Sequence, residues 1–345
     1  MAKFAETQKR ASEQTQPTPQ LLFETLNAYQ RTEALKAAIE LDLFTAIAEG
    51  TRTPDAIGRR CGTSERGARI LCDYLVVIGF LTKSKGEYNL TPDTAMFLVR
   101  SSPAYAGSAA RFLAAPVQTE NFKNVAAAVR KGGAVGAGMF APEHPVWVDF
   151  ARGMAPLMSL AADLIAELLE TENAQHGKVL DVAAGHGLYG IAIAKRNPNA
   201  RVTAVDWPNV LTVAKENAET ARVLDRYDTI PGSAFDVDLG SGYDVALITN
   251  FLHMFDDAAN QKLLQKVHAA LKPGGRVVAL EFVPDDDRVS PPIAASFALT
   301  MLVNTDGGDT HTASELKEMF RGAGFSSAEV RPLLPTFQHV TIAQK

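Results

Sequence analysis

The hydrophobic pattern changes character near residue 176. Beyond it, short apolar runs alternate with segments of helical periodicity, an order that requires right-handed crossovers and a parallel sheet. The first run, Val179, Leu180 and Val182, is β-branched or aliphatic, as in a strand covered on both faces. Further strands are predicted at 201–206, 227–232, 243–250, 275–283, 328–333 and 337–343, the last two forming a hairpin. The pattern therefore predicts an α/β fold with a doubly wound sheet.

The N-terminal part has a helical pattern that ends in a hairpin. Apolar residues recur every three or four positions over 21–47, which predicts packing helices closed by a glycine. Thr53, followed by proline, begins a short helix, and a second helix ends at Gly79. The short runs 80–82 and 87–90 then flank a Lys-Ser-Lys-Gly turn. Helix, turn, helix and hairpin predict a winged helix.

Residues 101–175 join the two parts. On the helix predicted to lead into the sheet, aromatic and methionine side chains recur at three- and four-residue spacing: Trp147, Phe150, Met154 and Met158. Such a stripe is typical of core packing, and it can also cover a ligand pocket. At the other end of the chain, residues 1–17 are rich in Gln, Glu, Lys and Thr and are predicted to form a flexible leader.

Composition is that of an ordinary globular protein. The 345 residues suit two domains, and 46% hydrophobic residues allow a sizeable core. A net charge of -5 argues against nucleic-acid binding through bulk electrostatics. Cys61 and Cys72 lie in separate predicted helices without metal-ligand spacing, so we expect neither a disulfide framework nor a metal. No apolar run approaches membrane-spanning length and no signal core is present, so we expect a cytoplasmic protein without a membrane partner.

The strongest chemical signal follows the first strand of the sheet. Gly185, Gly187 and Gly190 come directly after it, where positive φ and exposed N–H groups let a ligand approach the backbone ahead of a helix. This G-x-G-x-x-G spacing also fits a dinucleotide, with Asp206 as the ribose ligand. Asp181, inside the strand, favours instead a cofactor with an amino-acid tail, whose ammonium group its carboxylate would meet. We therefore predict a nucleoside-cofactor pocket.

Residues 181–187, DVAAGHG, resemble the D-x-G-x-G-x-G motif of the class I S-adenosylmethionine-dependent methyltransferases, with Ala183 in place of the first glycine. The winged helix extends this resemblance to the small-molecule O-methyltransferases over nearly the whole chain. The resemblance implies a winged-helix dimerisation domain at 18–100 and a helical linker at 101–175 that roofs the substrate pocket. It implies a Rossmann-like methyltransferase domain at 176–345 and a homodimer.

The resemblance also implies which residues bind the cofactor. Asp206 is followed by Trp-Pro-Asn-Val, as is the family's acid that accepts hydrogen bonds from both ribose hydroxyls. Ser233 stands where the family usually has an acid for the adenine amino group, and its hydroxyl can still accept that bond. The full set implied for S-adenosylmethionine is Asp181, Ala183, Gly185, Gly187, Asp206, Trp207, Ser233, Ala234, Phe235 and Asn250.

Residues 250–257, NFLHMFDD, resemble the family's N-x-L-H-D-W-x-D, whose histidine is the general base. His253 would accept the proton of the acceptor hydroxyl. A phenol titrates near 10 and an imidazole near 6.5, so full ionisation before attack costs about 5 kcal/mol, which a positioned base lowers. Glu281 occupies the position of the acid that orients this histidine. The family's second acid is replaced by Thr310, so that Asp309 or His311 substitutes for it or the base is held less firmly.

These features predict an O-methyltransferase of secondary metabolism that acts on a hydroxyl of an aromatic or polyketide-like small molecule. One alternative is an enzyme of the same fold that binds the cofactor without methyl transfer, such as a hydroxylase-like enzyme or a cyclase. Another is a winged-helix regulator, to which the arginines of residues 59–69 would give positive charge. The apolar side chains predicted to line the substrate pocket are Phe140, Trp147, Met154, Phe251, Met254, Phe297 and Met301.

Overall fold

The computed structural model describes residues 16–136, 143–171 and 177–345. The chain separates into two compact units between Gly107 and Ser108. The predicted domain boundaries at residues 17, 100 and 175 stay predictions. The elements of the first unit are α1 (Gln20–Leu26), α2 (Tyr29–Glu40), α3 (Leu43–Ala48), α4 (Pro54–Cys61), α5 (Glu65–Val77), β1 (Leu81–Ser84), β2 (Glu87–Leu90) and α6 (Pro92–Phe97).

The first unit contains the predicted helices and hairpin, with one difference over 21–47. That segment forms three helices, α1, α2 and α3. Asp42, which has a left-handed backbone with φ of 54°, separates α2 from α3. Lys85 and Gly86 also have positive φ, as a two-residue hairpin turn requires. On β2, the buried Tyr88 hydroxyl donates to Asp73 Oδ1 on α5 at 2.8 Å, which fastens the hairpin to that helix.

The second unit begins with short helices and continues into alternating strands and helices. Its elements are α7 (Ala110–Leu113), α8 (Pro116–Lys123), α9 (Val125–Lys131), α10 (Val146–Thr171), β3 (Lys178–Val182), α11 (Leu188–Arg196), β4 (Arg201–Asp206), α12 (Pro208–Thr220), β5 (Tyr227–Pro231), β6 (Tyr243–Thr249), α13 (Asp257–Ala270), β7 (Leu271–Glu281), α14 (Pro292–Asn304), α15 (Ala313–Gly322), β8 (Ser327–Pro332) and β9 (His339–Gln344).

Strands β3 to β9 of the described chain form one sheet in the order β5-β4-β3-β6-β7-β9-β8. The pairings among β3 to β7 are parallel, and β9 runs antiparallel to both β7 and β8. The strand order reverses at β3, since β4 and β5 lie on one side of it and β6 and β7 lie on the other. The predicted doubly wound α/β fold with a closing hairpin is confirmed.

Burial explains why the first strand of this sheet could be read from its sequence. Val179, Leu180 and Val182 are 0% exposed, with Val179 in the core on one face of the sheet and the other two in the core on the opposite face. A strand covered on both faces needs apolar residues at every position. The polar residue inside it, Asp181, is therefore an exception that requires a local explanation.

Membrane-spanning helices and metal-binding groups are both absent from the described residues. None of their helices combines the length and the apolar character needed to cross a bilayer. None of their His, Cys, Asp and Glu side chains form a group of three or more that could hold a metal ion. Cys61 and Cys72 are both free thiols.

Candidate active site

A cavity of about 690 Å³ lies in the second unit where strands β3, β4, β6 and β7 end. Residues at the ends of these strands or directly after them line its wall, among them Ala183, Asp206, Asn250 and Phe282. Ligands of doubly wound sheets bind outside the carboxyl ends of the strands, beside the point where the strand order reverses. The topology of the sheet therefore predicts this cavity as the binding site.

The glycine turn after β3 forms one edge of the cavity. Gly185 and Gly187 have φ of 57° and 74°, and Gly187 directly precedes α11. Ala183 also has a positive φ of 53°, a conformation that costs a residue with a side chain about 1 to 2 kcal/mol. The turn keeps this backbone despite the substitution of the first glycine of the motif, and Ala183 and Gly185 both line the cavity.

Asp206, at the end of β4, holds this turn and faces the cavity. Its Oδ2 accepts a hydrogen bond from the Gly185 N–H at 2.8 Å, and its Oδ1 accepts one from the Trp207 N–H at 2.7 Å. Burial raises the pKa of Asp206 to about 6, against the opposing effect of these two hydrogen bonds. At neutral pH the carboxylate is ionised and can accept hydrogen bonds from a ligand hydroxyl.

Asp181 lies beneath the turn, outside the cavity wall. It is 0% exposed, and its Oδ2 accepts a hydrogen bond from the Gly190 N–H at 3.2 Å in the first turn of α11. Burial raises the pKa of Asp181 to about 8, so the side chain is mostly neutral at pH 7. It supports the turn from below. The predicted contact between Asp181 and a ligand ammonium group stays a prediction, as does the role of Gly187, which also lies off the wall.

The next part of the wall follows β5 and β6. Ser233, Ala234 and Phe235 line the cavity together, and the Ser233 hydroxyl accepts a hydrogen bond from the Phe235 N–H at 3.2 Å. Asn250 has φ of 55°, and its Oδ1 accepts a short hydrogen bond from Gln338 in the segment before β9. Trp207 also lines the cavity, so eight of the ten predicted cofactor residues lie on this wall, all except Asp181 and Gly187.

His186 is a buried residue of the glycine turn that lies outside the cavity wall, and we did not predict its role. Its ring stacks on Phe150 at a centroid distance of 6.3 Å with an interplanar angle of 14°. Burial lowers the pKa of His186 to about 4, so the ring is neutral and its Nδ1 can accept the 3.2 Å hydrogen bond from the Leu188 N–H. The neutral ring joins the turn to α10, which carries Phe150. The only sequence signal was its position between two motif glycines.

His253 and Glu281 meet at the ends of β6 and β7. The His253 Nδ1 atom lies 2.5 Å from Glu281 Oε2, and both side chains are buried. Glu281 Oε1 accepts hydrogen bonds from the N–H groups of Phe251 at 3.0 Å and Leu252 at 2.8 Å. In the neutral imidazole tautomer that donates from Nδ1 to this carboxylate, the lone pair lies on Nε2. His253 itself lines the cavity.

The segment after α14 does not supply a second acid to His253. Asp309 is 52% exposed in its side chain and lies 3.6 Å from the Arg288 guanidinium. His311 is buried, and its Nε2 lies 3.5 Å from Asn260 Nδ2. The backbone carbonyl of the buried Thr310 accepts a hydrogen bond from Arg288. Within the described residues, no hydrogen bond joins Asp309, Thr310 or His311 to the His253 ring.

Aromatic and methionine side chains form the rest of the cavity. Six of the seven residues predicted for the substrate pocket line it, namely Trp147, Met154, Phe251, Met254, Phe297 and Met301. The seventh, Phe140, lies outside the described residues. Phe150 and Met158, from the stripe predicted to cover a ligand pocket, also line it. Wall residues that we did not predict include Phe112, Leu113, Gln118, Phe255, Phe282, Ile293, Ser296, Thr300 and Asn304. Those on α7, α8 and α14 lie in segments without a motif.

Known proteins resemble this chain in both sequence and structure. The sequence model of the O-methyltransferase domain matches residues 119–326, and that of the O-methyltransferase dimerisation domain matches residues 23–100. This chain belongs to the O-methyltransferase family. The predicted enzyme class, a methyltransferase with an N-terminal dimerisation domain, is thereby confirmed.

Three relatives illustrate the likeness. The 3-hydroxy-5-methyl-1-naphthoate 3-O-methyltransferase of Streptomyces sahachiroi is 30% identical over 91% of this chain and 90% of its own length. A crystal structure from Nostoc punctiforme, assigned as an O-methyltransferase, is 50% identical, covers 96% of this chain and 100% of its own, and has a TM-score of 0.93. Human N-acetylserotonin methyltransferase, solved with S-adenosylmethionine, is 22% identical over 96% of this chain and 99% of its own, with a TM-score of 0.83, and shares the fold.

The glycine turn generates a first prediction, on Gly187. A Cβ atom there would lie 2.5 Å from the Tyr227 hydroxyl oxygen and 3.0 Å from the Ala214 Cβ. We expect Gly187→Ala to lower the free energy of unfolding by about 1 to 2 kcal/mol through its left-handed backbone, and further through the overlap with Tyr227. Urea denaturation measures this loss.

Tyr227→Phe provides the matched control. The buried Tyr227 hydroxyl has no hydrogen-bond partner in the described part of the chain, so its removal alone should be nearly neutral or stabilising. Combined with Gly187→Ala, it should restore the free energy of unfolding that is lost through overlap of the new Cβ atom with the Tyr227 hydroxyl. The loss caused by the left-handed backbone of residue 187 should remain. Wild-type stability in Gly187→Ala would contradict the requirement for glycine.

Proposed function

We propose that this chain is a homodimeric enzyme that transfers a methyl group from S-adenosylmethionine to a hydroxyl of an aromatic or polyketide-like small molecule, with His253 as general base. The observation that carries the proposal is that His253, whose Nδ1 lies 2.5 Å from the buried Glu281, lines the same cavity as Asp206 and Gly185 of the glycine turn. One cavity therefore offers a cofactor end and a basic end.

The residues at the cofactor end fit S-adenosylmethionine. Asp206 presents a carboxylate to the ribose hydroxyls, and Ser233 and Phe235 offer a hydroxyl and a ring to the adenine. The turn at Ala183 and Gly185 lets the rest of the cofactor approach the main chain. When bound, S-adenosylmethionine supplies a methyl group on a sulfonium, which a hydroxyl oxygen attacks.

His253 supplies the base for that attack. Glu281 accepts from Nδ1–H and so fixes the tautomer whose Nε2 lone pair is free to accept a proton. The edge of the His253 ring meets Phe297 at a centroid distance of 4.9 Å, which restricts the ring on a second side. A proton shared with Nε2 during transfer removes the need to ionise the hydroxyl beforehand.

The acceptor should be flat and largely apolar. Rings surround this end of the cavity in edge-to-face and tilted contacts, such as Phe251 with Phe255 at 4.9 Å and Phe282 with Phe297 at 4.7 Å. Aromatic ligands are stabilised by the same contacts. The Streptomyces sahachiroi relative acts on a hydroxynaphthoate, an acceptor of this kind.

The test of the base is His253→Gln. The contacts proposed for the ribose, the adenine and the amino-acid tail of the cofactor are made by other residues, so S-adenosylhomocysteine affinity by calorimetry should be nearly unchanged. Single-turnover methyl transfer should fall by roughly 10²- to 10⁴-fold, as is typical for the loss of a general base. The acceptors are a panel of hydroxynaphthoates and other polycyclic phenols, with methylated product followed by mass spectrometry.

Two outcomes would overturn parts of the proposal. Full activity in His253→Gln would remove His253 as the base. Tight S-adenosylhomocysteine binding by the wild type without product from any acceptor would favour the enzyme that keeps the cofactor and performs hydroxylase-like or cyclisation chemistry.

The pKa of Asp206 gives a prediction for cofactor binding. An ionised carboxylate is the stronger acceptor for the ribose hydroxyls, and burial raises the pKa of Asp206 to about 6, so its contribution to affinity should be constant above pH 7 and fall as the pH drops through about 6. The limiting slope is roughly tenfold per pH unit for a single proton. Calorimetry with S-adenosylhomocysteine between pH 5 and about 8 measures it.

Two variants test whether the pH dependence of affinity comes from Asp206 or from another titrating group. Asp206→Asn cannot ionise, so its binding should be weaker and should lose this pH dependence. Asp238→Asn, at an exposed position outside the cavity wall, should keep the wild-type profile. An unchanged profile in Asp206→Asn would assign the titration to another group.

The homodimer is proposed from the dimerisation-domain match and from an exposed apolar helix. On α1, Leu22 and Leu26 are 59% and 64% exposed, and Phe23 is 60% exposed. Exposed apolar patches of this kind mark interaction surfaces. Sedimentation should give about twice the chain mass of 37.0 kDa. Leu22→Asp combined with Leu26→Asp should shift the protein towards monomer, and a wild-type monomer would contradict the proposal.

A further inference from the structure

Asn260, on α13, holds the main chain on both sides of His253. Its Nδ2 donates to the Leu252 carbonyl at 2.9 Å and lies 3.3 Å from the Phe255 carbonyl. Leu252–Met254 is a short 3₁₀ helix, so these two carbonyls bracket the turn that presents the base. One buried amide therefore fixes the two ends of this turn.

The structural role of Asn260 lies in its Nδ2 amide group, which donates hydrogen bonds, rather than in its Oδ1 acceptor. The residue is 0% exposed, and its Oδ1 has no hydrogen-bond partner within the described residues. A buried acceptor without a partner is unfavourable, and native proteins hold few of them. An amide with this cost at this position is best explained by the two carbonyls that its NH₂ group serves.

The backbone of Gly308 packs closely against the same turn. A Cβ atom at Gly308 would overlap the carbonyl oxygen of His253 and lie 2.8 Å from the Met254 carbonyl carbon. The Gly308 N–H donates to Thr305 Oγ1 at 2.8 Å, which fixes this approach. The main-chain carbonyl of His253 therefore packs against the backbone of Gly308.

The contacts around His253 are of two kinds, those to N–H groups and those to carbonyl groups. Glu281 binds the ring and the N–H groups of Phe251 and Leu252, while Asn260 and Gly308 confine carbonyls. Holding a reacting group to within a fraction of an ångström is what makes proximity effective, and a displacement of 1 Å can cost roughly 10²-fold in rate. The turn is therefore held from both its donor side and its acceptor side.

We propose that Asn260 is a positioning residue for His253, and that its hydrogen bonds to the turn, together with the close packing of Gly308, do the work of the acid that Thr310 replaces. The proposal rests on His253 being the base of the proposed function. It assigns no contact between Asn260 and substrate or cofactor.

The test is Asn260→Leu, which keeps the branched shape of the side chain and removes the donor, and Asn260→Ser, whose hydroxyl is too short to serve both carbonyls. Single-turnover methyl transfer should fall roughly 10- to 100-fold in Asn260→Leu, with KM for the acceptor and S-adenosylhomocysteine affinity nearly unchanged. In protein labelled with ¹⁵N-histidine, the ring signals of His253, assigned by their absence in His253→Gln, should shift or broaden.

Gln261 offers a matched control on the same helix. Its Nε2 donates to the Met319 carbonyl at 2.8 Å, so Gln261→Met also removes an amide donor from a backbone carbonyl but leaves the His253 turn intact. It should leave both the rate and the His253 signals at their wild-type values, even where its stability falls by as much as that of Asn260→Leu.

The outcomes separate the two proposals. A folded Asn260→Leu or Asn260→Ser protein with wild-type His253 ring signals would overturn the positioning role, whatever the activity. Shifted ring signals in the Asn260 variants, with full methyl transfer in His253→Gln, would instead show that Asn260 holds the ring while the proposed base is wrong.

Discussion

One buried carboxylate organises the reactive end of the cavity. Glu281 is 3% exposed, and taking a carboxylate out of water is costly unless hydrogen bonds satisfy it. Its partners are two consecutive backbone N–H groups and the His253 ring. Because these partners belong to the segment after β6, satisfying Glu281 forces that segment to turn towards β7 and to present His253 to the cavity.

Asp206 and Asp181 are also buried carboxyl groups, and the cost of burying them is met in different ways. Asp206 accepts two backbone N–H bonds and faces the cavity, so it remains an ionised acceptor at neutral pH. Asp181 accepts one and lies fully inside the protein, and burial raises its pKa to about 8. Hydrogen bonding and access to the cavity therefore separate an acid that is exposed to a ligand in the cavity from one that supports the turn from inside the protein.

Much of the second unit could be predicted from the sequence because its strands are covered on both faces. Apolar runs predicted β3 to within one residue of its start and β4 with its observed bounds, and motif residues at the strand ends meet in one cavity. The break at Asp42 was missed because helical periodicity continues across a single left-handed residue. Gln118 and Phe112 were missed because they reach the wall from short helices by tertiary packing alone.

Asp309 shows why proximity in sequence did not identify a replacement for the second acid. Arg288 lies 3.6 Å from its carboxylate, contacts Glu315 and donates to the Thr310 carbonyl, so the basic residue keeps this segment's acids at the surface. Bringing Asp309 to His253 would bury a second charge beside Glu281, with repulsion between the two carboxylates. A neutral amide and a close glycine can confine the turn without that charge, because they act on its carbonyls rather than on the ring.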